Sequence, residues 1–279
     1  MKSAGRFGPT MDPAMRDPTT SNRFVRLLCS CLRHARPRPA LPLAVRAVSS
    51  GSHRAQAMTF EESATAMIEA ARIIREDFTK RFHAAVSAND PIAYSRELGF
   101  GKKPEDIEPC GYDPRAPIKF VYDPVGHLRK VGTYLPFFAA ARSCYEIGVG
   151  VGYLLRALID VHGMKASGCD VGLKTLGVYR EMRKLLGVSH LVEEQRIVSG
   201  RPIALPAGTE IVTAFMSTFD HDWAIADYQW FFSEMKRHGV SKVLWLPNRN
   251  EPETRDYFSS IGGTFPVKSN ENRFVVIRL

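Results

Sequence analysis

Apolar side chains recur at helical intervals in the segment between residues 59 and 90. They stand three or four positions apart, at Met67, Ala71, Ile74, Phe78 and Phe82. This period predicts the buried face of an amphipathic helix. Thr59 precedes Glu62 by three positions, which is the spacing of a reciprocal N-terminal capping box. The helix is therefore predicted to begin near Thr59 and to end near residues 89–91.

The next part of the sequence changes character twice. Residues 99–126 are rich in proline, glycine and aspartate and are predicted to form mostly loop. A second helical face follows, at Leu128, Val131, Leu135 and Phe138, and Pro136 is expected to interrupt or kink it. We expect residues 58–126 to form a helical cap and a loop region beside the main domain.

From Ser143 onward, short apolar strands alternate with helical stripes. The predicted strands cover residues 144–148, 165–170, 194–198, 210–216, 242–246, 264–267 and 273–279. The predicted helices cover residues 154–162, 173–186, 223–238 and 255–261. This alternation predicts a doubly wound α/β domain, with a mostly parallel sheet that is covered on both faces. The closing pair of strands adds an antiparallel last strand.

A glycine cluster joins the first of these strands to its helix. It reads Glu146-Ile147-Gly148-Val149-Gly150-Val151-Gly152-Tyr153. Glycines allow a sharp turn and a close approach of a ligand, and the amides at the start of a helix favour a negative or polar ligand group. Asp170 ends the second strand, where an acid typically accepts hydrogen bonds from two ribose hydroxyls. Together these residues predict a cofactor site.

The cluster resembles the first motif of the class I S-adenosylmethionine-dependent methyltransferases, which is an acid followed by Gly-x-Gly-x-Gly. The resemblance covers residues 127–279. It implies a seven-stranded Rossmann-like methyltransferase fold whose last strand is antiparallel, here with an N-terminal helical cap. It also implies S-adenosylmethionine as the cofactor and methyl transfer as the activity.

The roles of the family's residues pass to matching positions of this sequence. Gly148, Gly150 and Gly152 would hold the amino acid part of the cofactor, and Asp170 would hold its ribose. Glu146 would anchor the loop or reach the cofactor's amino group through water.

Met216 closes the fourth predicted strand. Ligands bind beyond the carboxyl ends of the strands in this fold, so Met216 is expected to border the cofactor near its methyl group.

A nicotinamide or flavin domain is the nearest alternative for such a loop. Its Gly-x-Gly-x-x-Gly fingerprint requires glycine at position 153 when it starts at Gly148, or at position 155 when it starts at Gly150. The sequence has Tyr153 and Leu155 there. The methyltransferase pattern is therefore favoured.

One position departs from the family. Many members carry an acid after the third strand that contacts adenine, whereas this chain has Arg201 there, between Gly200 and Pro202. An arginine cannot accept a hydrogen bond from the adenine amino group. A backbone carbonyl or another side chain would have to do so.

The segment after the fourth strand carries candidates for acceptor chemistry. His221 is a candidate general base, because imidazole has a reference pKa near 6.5, and Asp222 could orient it. The alternative is that Asp220 and Asp222 cap the helix that follows. The aromatic residues of that helix are more typical of a core than of a substrate box: Trp223, Tyr228, Trp230, Phe231 and Phe232.

The net charge of +9 is concentrated at one end of the sequence. Residues 1–57 hold ten basic and two acidic side chains, which leaves 28 basic and 27 acidic ones in residues 58–279. The folded part therefore does not indicate a nucleic-acid surface, and a small-molecule methyl acceptor is favoured. Two alternatives stay open: a non-catalytic methyltransferase-like binding or accessory protein, and an RNA methyltransferase that uses the basic segment as an arm.

Residues 1–57 have further interpretations. They form a disordered basic leader or a mis-assigned start ahead of Met58, which would make the protein cytoplasmic, or a transit peptide to an organelle matrix. No apolar run approaches the roughly 20 residues that a membrane-spanning helix needs. Five cysteines without a Cys-x-x-Cys pair do not indicate a metal site, zinc included.

Overall fold

The structure, a computed structural model, describes the chain in seven segments. They are residues 58–87, 119–171, 177–215, 219–220, 222–247, 251–266 and 274–279. The expectations for residues 1–57 and for residues 99–118 lie outside these segments, as do those for Met216 and His221.

The first helix, α1, spans Phe60–Ser87, as its apolar period predicts. Its predicted capping box is confirmed, because the Thr59 amide donates to Glu62 Oε2 at 2.8 Å and the Glu62 amide donates to Thr59 Oγ1 at 3.2 Å. Three residues of the predicted apolar face are buried: Met67, Ala71 and Ile74. The other two side chains, of Phe78 and Phe82, lie outside the described part.

Helical structure begins earlier than the predicted second helical face. α2 spans Lys119–Tyr122 and α3 spans Pro124–Tyr134. Asp123 caps α3, because its side chain accepts a hydrogen bond from the Gly126 amide at 3.0 Å. The loop prediction is therefore wrong for Lys119–Tyr122 and for residues 124–126, whereas the rest of α3 carries Leu128 and Val131 of the predicted helical face, both buried.

The predicted interruption at Pro136 is confirmed. The α-helix ends at Tyr134, and a 3-10 turn that contains the proline spans Leu135–Phe138. Proline has no amide hydrogen to donate to the preceding turn, so the α-helical pattern cannot continue through it.

Six described strands form one sheet in the order β3-β2-β1-β4-β5-β6. The strands are β1 Ser143–Ile147, β2 Lys165–Asp170, β3 Val192–Glu194, β4 Ile211–Ala214, β5 Lys242–Trp245 and β6 Val275–Arg278. Neighbours are parallel, except that β6 runs antiparallel to β5. Because β1 lies between β2 and β4, the carboxyl ends of these three strands border the crevice where ligands bind in such sheets.

The predicted fold class is confirmed by this sheet, with two corrections. The third strand lies at Val192–Glu194 rather than at residues 194–198, because its pairing with β2 ends at Glu194, opposite Asp170, the last residue of β2. The structure describes six strands rather than seven. Thr264 makes only an isolated antiparallel bridge to Val276.

Four further helices connect the strands, and they leave the sheet covered on both faces. They are α4 Tyr153–His162, α5 Gly177–Leu185, α6 Ile225–Arg237 and α7 Pro252–Ser260. One hydrophobic core lies between the sheet and α1, α3, α4 and α5, and the other lies beneath α6 and α7. None of the described helices combines the length and apolar character that crossing a bilayer requires.

The aromatic helix contributes to the second core, as predicted. Four of its predicted aromatic residues are buried: Trp223, Tyr228, Phe231 and Phe232. Trp230 is half-buried and packs against the same core.

α1 shares the first core with the strands and helices of the sheet domain. Ser63 on α1 is fully buried, and its hydroxyl donates to Asp160 Oδ2 on α4 at 2.7 Å. The Phe60 ring packs tightly on Gly132 of α3, since a Cβ added to Gly132 would lie 2.5 Å from a carbon of that ring. The predicted N-terminal helical cap is thus packed directly on the domain that carries the glycine loop.

Candidate functional site

The glycine loop connects β1 to α4 at the carboxyl edge of the sheet. Gly148, Gly150 and Gly152 have φ values of 77°, 57° and 92°, in the left-handed region that favours glycine. The amides of Gly148 and Val149 donate to the Cys169 carbonyl oxygen at 2.8 and 3.1 Å. These bonds tie the start of the loop to the end of β2.

Gly150 and Gly152 differ in how much room their surroundings leave for a side chain. A Cβ on Gly152 would lie 2.8 Å from Val188 Cγ2, so this glycine allows the loop to pack against the segment after α5. A Cβ on Gly150 would meet no atom of the described residues within 4 Å. Open space beside a left-handed glycine suits a ligand that approaches the main chain.

The amides of all three glycines donate within the protein. Gly148 bonds to β2, Gly150 bonds to the Asp170 side chain, and the Gly152 amide donates to the Val149 carbonyl oxygen at 3.0 Å. Among the three, Gly150 therefore contributes room for a ligand, while none of the three amides is left to donate to it.

Glu146, in β1, is 2% exposed. Its Oε2 has no hydrogen-bond partner among the described residues. Burial raises the pKa of Glu146 well above its ordinary value, the charge of Asp170 adds to the rise, and the Leu155 amide opposes it. A buried carboxylate oxygen with unused acceptor capacity suits a ligand that brings an N–H donor or a positive charge.

Asp170 lies at the carboxyl end of β2 and is held on both oxygens. Oδ2 accepts from the Gly150 amide at 2.9 Å and from Arg183 Nη1 at 3.1 Å, and Oδ1 accepts from the Val171 amide at 2.8 Å. Burial raises the pKa of Asp170, while the Val171 amide, the Arg183 charge and the Gly150 amide oppose that rise. Val171 itself is 50% exposed and places an apolar side chain at the edge beside this acid.

Arg183 on α5 is a residue of the site that sequence reasoning missed. It is 2% exposed, and its Nη1 donates to the Gly150 carbonyl oxygen at 2.9 Å as well as to Asp170. Burial lowers the pKa of Arg183, and the Asp170 charge opposes this. The signal in the sequence was an arginine that shares helical spacing with Tyr179 and Leu186, where a fully apolar stripe would be usual.

Four ring side chains near the loop, which the sequence did not indicate, form a group that we call the edge cluster: Phe120, His127, Tyr153 and Phe215. His127 on α3 is half-buried, and its ring centroid lies 4.4 Å from Phe120, 5.9 Å from Tyr153 and 6.1 Å from Phe215. Tyr153 follows the glycine loop directly, and Phe215 follows β4 directly. The imidazole therefore lies at the carboxyl edge of the sheet, where ligands bind in this fold.

The predicted capping role of Asp220 and Asp222 is wrong. The N-cap of the aromatic helix α6 is Ala224, whose amide donates to Asp227 Oδ2 at 2.7 Å. Asp220 is fully buried instead and accepts a hydrogen bond from the Tyr228 hydroxyl at 3.2 Å.

Arg201, at the position of the family's adenine-contacting acid, is exposed. Its amide donates to the Val198 carbonyl oxygen at 3.1 Å and closes a turn. The neighbouring Ile203 is 2% exposed and anchors this loop in the second core.

Cys144 and Cys169 are buried free thiols. Among the described residues, no group of three or more histidine, cysteine, aspartate or glutamate side chains is placed to hold a metal ion.

No protein-family model matches the sequence, and no curated protein matches it. Among solved structures, the chain is similar to a SAM-dependent methyltransferase from Aquifex aeolicus, with 18% identity over 60% of this chain and 98% of that one and a TM-score of 0.40. It is also similar to M. capricolum TrmK in complex with S-adenosylhomocysteine, with 13% identity over 53% of this chain and 66% of that one and a TM-score of 0.36.

A third similar structure is RosA from Streptomyces davawensis, an N,N-8-amino-8-demethyl-D-riboflavin dimethyltransferase. The identity is 15% over 59% of each chain, and the TM-score is 0.39. The chain thus spans less than two thirds of the length of TrmK and of RosA. The last strand of the described sheet runs antiparallel to its neighbour, as the family resemblance implies.

Proposed function

We propose that this protein binds S-adenosylmethionine and transfers its methyl group to a small-molecule acceptor. One combination of features carries the proposal. The buried Oε2 of Glu146 lacks a partner in the described part of the chain, and the loop that follows leaves open space at Gly150.

The residues present fit the amino acid part of this cofactor. Its ammonium group would bring N–H donors to Glu146, directly or through water, and would offset the cost of burying that carboxylate. Gly150 would leave room for the ligand to pass close to the main chain.

Asp170 fits the ribose, because Oδ1 accepts one hydrogen bond from the described residues and has capacity for another. The exposed side chain of Val171 would lie against the flat adenine ring. Arg201 is no acceptor for the adenine amino group, so a main-chain carbonyl of its loop is the group that we propose for this contact.

When bound, S-adenosylmethionine supplies a methyl group that is already activated on a sulfonium. The residues of the chain then have to align the acceptor, exclude water and take up a proton where the acceptor carries one. His127 in the edge cluster is our candidate for the proton, since its ring contacts residues that directly follow the glycine loop and β4. His221, with Met216 beside the methyl group, stays the sequence-based alternative.

A small molecule is favoured as the acceptor by charge and by ring chemistry. Residues 58–279 hold 28 basic and 27 acidic side chains, which gives no excess for phosphate binding. Phe120, the half-buried apolar ring of the edge cluster, would offer a surface to a flat acceptor.

Titration calorimetry on the full chain tests the cofactor. We expect S-adenosylhomocysteine to bind and NAD not to bind. Asp170→Ala should lose about tenfold or more in affinity, because a hydrogen bond to a charged group is worth about 1.5–3 kcal/mol. Glu194→Ala, an exposed acid opposite Asp170 on β3, is the matched control and should change nothing. Binding of NAD alone, or of neither ligand, would contradict the proposal.

Methyl-labelled S-adenosylmethionine tests the acceptor class. After incubation with a total cell extract, the label should enter acid-soluble small molecules. Label in RNA would favour the RNA alternative. Binding of S-adenosylhomocysteine without any transfer of label would favour the non-catalytic alternative.

A further inference from the structure

Gly150, Asp170 and Arg183 form a closed triangle of hydrogen bonds. Arg183 Nη1 donates to the Gly150 carbonyl oxygen at 2.9 Å and to Asp170 Oδ2 at 3.1 Å, and the Gly150 amide donates to the same Oδ2 at 2.9 Å. One ion pair therefore holds both polar atoms of the Gly150 backbone.

We propose that Arg183 is a positioning residue of the cofactor site. It fixes the glycine loop in its left-handed conformation and turns the Asp170 carboxylate so that Oδ1 faces the ligand. This inference rests on the proposed function, and it identifies a residue on α5, outside both predicted motifs, as necessary for cofactor affinity.

The number of lone-pair sites on the Asp170 carboxylate limits how many ribose hydroxyls it can bind. Two donors already occupy Oδ2, and a carboxylate oxygen has two lone-pair sites. Among the described residues, Val171 alone donates to Oδ1, which leaves one site for a ligand. With the triangle intact, Asp170 accepts one ribose hydroxyl rather than the two that the family resemblance implies.

The burial of the pair shows why the two residues depend on each other. Relative exposures of the side chains are 2% for Arg183 and 11% for Asp170. A buried ion pair gains little net stability, but removal of one partner leaves an uncompensated charge. Without Arg183, the carboxylate of Asp170 would be left with amide donors only, and its proton affinity would rise.

The charged and titratable groups that act on Asp170 among the described residues come from three elements. They are Glu146 on β1, Cys169 on β2, and Tyr179 and Arg183 on α5. Arg183 is the cation in this set, so its replacement changes the titration of Asp170 in a known direction.

Arg156 provides a matched control. It also pairs with an acid, Asp160, at 2.7 Å, and it also donates to a main-chain oxygen, that of Leu186, at 3.1 Å. These bonds join α4 to the segment after α5. None of the described hydrogen bonds of Arg156 goes to Gly150 or Asp170.

The experiment is a titration of S-adenosylhomocysteine into full-length wild type, Arg183→Met, Arg183→Lys and Arg156→Met, with a circular dichroism melt of each. We expect Arg183→Met to lose tenfold or more in affinity and Arg183→Lys to recover part of the loss. Arg156→Met should stay within twofold of wild type. Affinity of Arg183→Met within threefold of wild type would overturn the inference.

The pH profile separates positioning from a general loss of structure. Between pH 5.5 and 8.5, the affinity of Arg183→Met should fall toward low pH more steeply than that of wild type, because Asp170 takes up a proton more readily without its cation. Arg183→Met combined with Asp170→Asn should lose this extra dependence. Equal slopes in wild type and Arg183→Met would contradict the inference.

If Arg183→Met does not fold, the S-adenosylhomocysteine affinity of Arg183→Lys and its pH profile test the inference instead. Absence of S-adenosylhomocysteine binding by wild type would overturn the proposed function together with this inference. Binding by wild type with unchanged Arg183 variants would overturn the inference alone.

Discussion

Gly168 on β2 lies directly against the main chain of Glu146 on β1. The two residues are partners in the sheet register, and a Cβ added to Gly168 would collide with the Glu146 carbonyl oxygen and come within 2.6 Å of Val149 Cγ2. The missing side chain lets Val149 of the glycine loop fold back over β2. Asp170, two residues further along β2, then reaches the Gly150 amide.

The first prediction concerns this contact. Gly168→Ala should lower the free energy of unfolding by about 1–3 kcal/mol, because extra atoms in a packed site force backbone shifts. In thermal melts this corresponds to a loss of about 2–4 °C for each kcal/mol. Ser167→Ala, its half-buried neighbour on the same strand, should change the melting temperature little. An unchanged melting temperature for Gly168→Ala would show that the strands can move apart there.

Local patterns in the sequence predicted the elements that local forces determine. The capping box at Thr59, the strand at residues 165–170 and the helix end at Gly163 all lie where the sequence places them. The strand is held by pairing with β1 and β3. The capping box and the helix end rest on neighbours within four positions, such as the Gly163 amide that donates to the Ile159 carbonyl oxygen. Such contacts can be inferred without knowledge of the fold.

The errors have identifiable physical origins. Asp123 followed by Pro124 was interpreted as part of a loop, although an acid before a proline at the first helical position is also a helix start. Arg183 bonds to residues 13 and 33 positions earlier in the chain. Its role depends on how α5 packs on β2 and on the loop, and no local pattern encodes that packing.

The second prediction concerns the attachment of α1. Ser63→Ala removes the buried hydroxyl that donates to Asp160 Oδ2, so the free energy of unfolding should fall by about 1–2 kcal/mol. Thr65→Ala is the matched control, because its hydroxyl donates to the Glu61 carbonyl oxygen within α1 and is exposed. Denaturant unfolding measures both. Equal, small losses in the two variants would mean that α1 adds little through this bond.

The third prediction concerns Glu146 and pH. Its pKa in the folded protein lies well above the ordinary value of 4.5, so the folded chain binds a proton that the unfolded chain releases. The free energy of unfolding therefore falls as pH rises above about 4.5. Glu146→Gln removes this titration and should be more stable than wild type by at least about 1 kcal/mol at pH 8.

The advantage of Glu146→Gln should shrink between pH 8 and pH 5, as wild-type Glu146 becomes protonated. Urea titrations at both pH values measure this, with the exposed Glu194→Gln as the control. The same variant should bind S-adenosylhomocysteine more weakly, since the amide presents no negative charge to the ligand's ammonium group. A constant difference from wild type at both pH values would refute the assignment of the titration to Glu146.

The last prediction tests whether the open space at Gly150 is where the cofactor lies. Gly150 and Gly163 have similar φ values of 57° and 61°, and a Cβ at either position would meet no atom within 4 Å in the described part of the chain. They lie on opposite sides of α4, before its first turn and after its last. Alanine at either position should therefore cost a similar amount of folding stability, about 1 kcal/mol, from left-handed strain alone. Only Gly150→Ala places a methyl group in the proposed site, so it alone should weaken S-adenosylhomocysteine binding, by about tenfold or more in a calorimetric titration. Equal affinities of the two variants, with equal melting temperatures, would place the ligand away from the glycine loop.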